Sequence, residues 1–196
     1  TEKISELETN YKYMIHYIVE GNKDPEQQKI YNHLVRDIYM LADNLLEQFQ
    51  TRNSSSIFFE KARMANVRQP LSIVEYQDII SRQTDTFSVI GLLPDGEEKQ
   101  NRAKQNIIEQ EHTILDFFYT VFSSPRAKEE QIKSYNEFLN SSVTPIQAKS
   151  LLISAITLNV LQRFDQKKVE FLLDTCNHFE SEISLRATVG IVPIFR

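Results

Sequence analysis

Apolar residues in this chain recur at steps of three and four almost from end to end. Ile4, Leu7, Tyr11, Met14, Ile15 and Ile18 form one such series, and Ile30, Leu34, Ile38, Leu41, Leu45 and Phe49 form the next. That spacing gathers side chains on one face of a helix but scatters them across both faces of a strand. Four glycines and six prolines in 196 residues are too few for the tight turns of a β-sandwich or barrel. The expected class is all-α, with about nine helices.

Local chemistry marks the boundaries. Gly21 suits the residue after a first helix, where positive φ is common. "DPEQ" follows, with Asp24 as cap, Pro25 at the first helical position and Gln27 at the third. The short connection predicts an antiparallel pair. Ser55 or Ser56 can cap a short helix over 57–67, and Pro70 precedes another over 71–80. Residues 82–99, punctuated by Gly91, Pro94 and Gly96, read as a loop or broken helix. They are the expected boundary between two parts, 1–94 and 95–196, unless the two run on as one continuous domain. A long helix is expected over Glu97–Phe122, with Ala103, Ile107, Ile108, Leu115, Phe118 and Phe122 inward.

The last third carries two more helical pairs. Ser124 and Pro125 open a helix that reaches Leu139. Thr144, in "TPIQ", is the expected cap of a helix that runs to Arg163 and is apolar on more than one side. Such a helix must be covered by several neighbours. Asp165 and Ser181 are the expected caps of the next two. Ser124 and Asp165 lie 41 residues apart, and Thr144 and Ser181 lie 37 apart, close to the period of helical-hairpin repeats. Within "SLRATVGIV", Leu185, Arg186, Ala187 and Ile191 stand as in the second helix of a HEAT-type repeat, and "AKSLLISAITL" is a looser version with Lys149 at the basic position. The chain resembles that family over about 70 residues. The resemblance implies antiparallel hairpins stacked as a HEAT/armadillo-like alpha-alpha superhelix.

The segment "SLRATVGIVPIF" has no polar outer face of the kind a terminal repeat requires. Two readings are open: a further hairpin continues the stack, or Ile191 to Phe195 fold back on their own domain. Leu185, Ile191, Ile194 and Phe195 are therefore candidate partner-binding residues. Phe117 and Tyr119 join them, because the aromatics of "LDFFYTVF" cannot all face one core at helical spacing. Stacked hairpins offer an extended surface without a reactive centre, so the leading expectation is a non-catalytic protein-binding or scaffold module with a protein partner. The oligomeric state stays open; a dimer through the C-terminal hairpins would dissociate on Leu185→Glu.

No motif names a reaction. Phosphate-cradling glycine loops, a GxSxG elbow and an HExxH pair are all missing from the sequence. Glu109 and His112 make a single ExxH, where a di-iron bundle needs two. With the loop 85–96 they are the first suspects if the chain is instead an enzyme or a ligand- or metal-binding bundle. Asp174 and His178 share a helix face, where His178 suits a helix C-terminus. Cys176 reads as a small core residue, with His178 too close along the helix to act as its base. No cofactor is expected. The net charge of −5, with Lys and Arg interspersed among Glu, argues against nucleic acid. No 18-residue apolar run suggests a membrane span. A single cysteine requires no oxidising compartment, so the cytoplasm is the expected location. "NSS" at Asn53 and Asn140 matches the glycosylation acceptor triplet, a pattern that chance often supplies.

Overall fold

The structure, a computed structural model, describes residues 2–20 and 26–195. Among these it is all-helical: α1 (Glu2–Val19), α2 (Gln27–Asn53), α3 (Ile57–Val67), α4 (Ile73–Gly91), α5 (Glu97–Phe122), α6 (Glu129–Asn140), α7 (Ile146–Gln162), α8 (Gln166–Thr175) and α9 (Ser181–Ile191), followed by a 3-10 turn over Val192–Phe195. The expected roles of Gly21, Asp24 and Pro25 lie outside the described residues. By contacts the chain divides into two compact units, 1–55 and 56–196.

The first unit is the helical pair α1 and α2. Leu7 and Leu34 are its buried apolar residues, and Met14 and Leu41 are half-buried. A groove between the helices is lined by Asn10, Tyr13, Met14 and Tyr17 on one side and by Ile30, His33, Leu34 and Asp37 on the other.

The second unit holds the main core. Each of α4, α6 and α8 touches the next of that series, and so does each of α5, α7 and α9. The consecutive helices α4 and α5, α6 and α7, and α8 and α9 also touch. Helix α7 sits in the middle, against α5, α6, α8 and α9, which explains an apolar surface nearly all round it. Leu152, Ile153, Ala155 and Ile156 are fully buried there. Phe117 stacks on Phe138 with ring centroids 5.1 Å apart, and Phe58 meets Phe59 and Phe122 edge to face. Of the expected inner face of α5, Phe122 is buried and Ala103 and Phe118 are half-buried, but Ile107, Ile108 and Leu115 are exposed, and Phe117 and Val121 are buried instead.

Several boundaries differ from the sequence reading. Residues 82–91 continue α4 as helix. Thr84, Thr86 and Ser88 donate their hydroxyls to the carbonyls four residues back, so polar side chains that favour loops are satisfied inside the helix. Ile90 is buried and Gln83 donates to Thr113 Oγ1, which ties this extension to α5. The segment near residue 94 connects two helices that pack together within the second unit. At the start of α4, Ser72 and Glu75 form a reciprocal capping box, an S-x-x-E pattern plain in the sequence. The Glu75 carboxyl is held below its ordinary range by the Ser72 backbone N–H, then by its hydroxyl.

Three expected caps do not stand at the N-caps of their helices. Thr144 does not cap α7: Pro145 stands at the N-cap, and the buried Thr144 hydroxyl has no hydrogen-bond partner. Ser181 is the first residue of α9, with Glu180 at the N-cap. Helix α6 begins at Glu129, and Ser124 instead donates to Val121 O and receives Lys168. Asp165 does cap α8, accepting from the backbone of Lys167 and Lys168.

Candidate binding site

The polar chemistry of the second unit concentrates on both sides of α7. At its C-terminal end lies a closed cluster around Lys168, which is fully buried. Its ammonium donates to Ser124 Oγ at 2.9 Å, Pro125 O at 2.9 Å and Asn159 Oδ1 at 2.7 Å. Asn159 in turn donates to the carbonyls of Phe122 and Ser124, and Arg163 also reaches Ser124 O. Asp165 Oδ2 accepts from the Ala127 backbone at 2.6 Å and lies 3.9 Å from the ammonium. Asn159 and Arg163 thus tie off the C-terminal end of α5, and the cation ties the Pro125 carbonyl in the turn before α6 to Asn159. The ammonium's three protons are all used, and no open face is left for a substrate. Tyr135, beside this cluster and bonded to Gln131, has its phenol pushed up to about 12, chiefly by burial.

Lys168 escaped the sequence reading, although one signal was available. It precedes Leu172 by four residues and follows Asp165 by three, so it shares the apolar face of α8.

The other side of α7 faces α9. Lys149, nearly buried, donates to both carboxylate oxygens of Glu180 at 3.0 Å, and Ser150 donates to Glu182 at 2.8 Å. The Glu180 backbone N–H donates to His178 Nδ1 at 3.1 Å. This engagement of Glu180 and His178 replaces a side-chain cap on α9. Next along the seam, Arg186 donates to Ser154 Oγ at 3.0 Å. At Gly190 an added Cβ would fall 2.5 Å from Thr157 Oγ1, so the helices meet there at a distance only glycine permits.

Outside these ties an open groove of roughly 540 Å³ remains between α7 and α9. Leu158, Leu185 and Val189 give it apolar surface, and Glu182 and Arg186 give it both charges.

The candidate partner residues fall in three settings. Phe117 is fully buried in the core and cannot meet a partner; its row on α5 faces α4 and α6. Tyr119 is half-buried, with the Lys61 ammonium 4.4 Å above its ring. Ile191 and Ile194 are half-buried against the core, whereas Leu185 and Phe195 are exposed. The structure therefore brings Leu185 to the α7–α9 groove and leaves Phe117 and Tyr119 away from it.

Glu109 and His112 are exposed on α5, where Glu109 accepts from Gln105 one turn back. Among the described residues no three His, Cys, Asp or Glu side chains are grouped as a metal site. Cys176 is half-buried and bonded to Leu172 O. Among the described residues no helix is long and apolar enough to cross a membrane. No protein-family model, curated protein or solved structure matches the chain.

Proposed function

We propose that the chain is a non-catalytic protein-binding module whose residues 56–196 stack as HEAT-like helical hairpins. The observation that carries this reading is the order of packing: first helices touch first helices and second helices touch second helices, in sequence order. Serial stacking of that kind is how solenoids build an extended binding surface. The Arg186 that prompted the resemblance ties α9 to α7 through Ser154, as a between-repeat contact would. The partner is a protein, met at the α7–α9 groove through Leu185 and Val189, and the working compartment is the cytoplasm.

The test is affinity capture from the source cells with the wild-type chain and with a Leu185→Glu, Val189→Glu variant. Both positions are exposed, so the variant folds. A partner that the wild type retains and the variant loses supports the proposal. Identical capture by both, or stoichiometric iron, manganese or zinc in the purified protein, overturns it.

A further inference from the structure

The α1–α2 pair has two unlike faces. Its inner line is Leu7 and Met14 on one helix and Leu34 and Leu41 on the other, each pair spaced by seven residues and buried or half-buried. Beside that line runs a second pair of seven-residue rows: Ile4, Tyr11 and Ile18 on α1, and Tyr31, Ile38 and Leu45 on α2. These six stay between 41% and 52% exposed. Counted outward from the connection in an antiparallel pair, Ile18 and Tyr31, Tyr11 and Ile38, and Ile4 and Leu45 stand at matching levels. In coiled-coil terms one heptad position closes the hairpin and the other is left open. Exchanging α1 for α2 leaves the face nearly unchanged, so it is complementary to itself.

We propose that this face is the interface with a second copy of the chain, forming an intermolecular four-helix bundle. In such bundles each helix shares its two heptad rows between two neighbours, and the hairpin alone supplies one neighbour. The area suffices. The six residues and the flanking Ile15 and Phe49, at roughly half exposure and on the order of 200 Å² each, offer about 600–1000 Å² per copy. Stable interfaces bury about 800 Å² per partner. Over 4–18 and 28–49 the charged residue in the open row or in the flanking row of Ile15 and Phe49 is Glu8, and it is paired along its helix with Lys12 at 2.5 Å. A two-fold dimer repeats the same rows at the same spacing, which an unrelated partner would have to supply by chance.

Sedimentation velocity of the full chain tests this. The expected mass is twice the 22.9 kDa of one chain, falling to 22.9 kDa for Tyr11→Glu, Ile38→Glu with far-ultraviolet helicity kept, because both positions are already exposed. Tyr13→Glu, in the groove on the other face, and Leu185→Glu, in the second unit, leave the dimer intact. In a Cys176→Ala background, a short bismaleimide links two chains that carry Ile38→Cys, the central level of the face. A wild-type monomer, or a dimer that survives Tyr11→Glu, Ile38→Glu, overturns the proposal. So does a dimer that gives no Ile38→Cys cross-link.

Discussion

The two units are built from the same apolar helical pattern and end in opposite states. In residues 1–55, Leu7 and Leu34 are the fully covered apolar side chains among those described, whereas the second unit covers 24. The aromatic chemistry divides the same way. Five of the eight tyrosines (Tyr11, Tyr13, Tyr17, Tyr31 and Tyr39) lie in the first unit, all exposed, and eleven of the twelve phenylalanines lie in the second. Hydrophobicity alone does not account for this. A helix with one neighbour can cover one line of side chains, whereas α7 has neighbours on nearly every side. Tyrosine tolerates the half-wet result because its hydroxyl keeps water while its ring awaits a contact. The comparison teaches that burial follows the number of neighbours and that an uncovered pattern marks a missing one.

Four experiments sharpen the contrast. The largest effect is expected at Lys168→Ala, which strands Ser124 Oγ, Pro125 O and Asn159 Oδ1 without their donor. Loss of one partner from a buried charged cluster costs about 3–5 kcal/mol, read by chemical denaturation. Lys12→Ala, which breaks an exposed pair on α1, leaves the denaturation midpoint nearly unchanged. Equal effects would break the distinction between the units.

Core truncation comes next. Leu152→Ala, fully buried in α7, costs about 2–5 kcal/mol, and Leu34→Ala stays at or below the low end of that range. The open flank of the hairpin lets water or neighbours fill the gap. Amide exchange provides a second readout: α7 exchanges only by global unfolding, and α1–α2 exchanges faster in the monomer.

Alkaline pH acts on the second unit through Tyr76 and Tyr135, both pushed up to about 12, first by burial. For Tyr76 the bond its hydroxyl donates to Asp116 Oδ2 at 2.6 Å adds to the rise. The folded state keeps these protons where the unfolded chain has lost them. Their contribution is therefore complete below about pH 10 and is lost as pH climbs towards 12, by about 2 kcal/mol per tyrosine. Tyr135→Phe flattens that fall in an alkaline titration; the exposed Tyr13→Phe leaves it unchanged.

The smallest expected effect is local. Gly190→Ala places a methyl against Thr157 and costs about 1–3 kcal/mol. Thr157→Ala opens the space, so the double variant is more stable than the sum of the two changes predicts. Simple additivity in that cycle would show that α9 does not press on α7 at this point.

Helical class and the positions of α3, α5 and α8 were legible because three-and-four spacing and the Asp165 cap act over a few residues. The sequence also led to α6 beside α7 and α8 beside α9, from the spacing of their caps, and these helices do touch. The polar centre was legible only in part: the spacing of Lys168 to Leu172 puts it on the apolar face of α8, but its partner Ser124 lies 44 residues away. Thr144 and Ser181 carry capping patterns as well, yet Pro145 and Glu180 stand at the N-caps.

By itself, then, the sequence determined that the chain is helical, where most helices run and which faces are apolar, because backbone propensity and periodicity are local quantities. The tertiary structure decided which apolar faces are covered, what the buried lysine binds and that Ser124, an expected cap, is spent on a distant partner. Those outcomes depend on neighbours brought together by folding, and no local pattern encodes them.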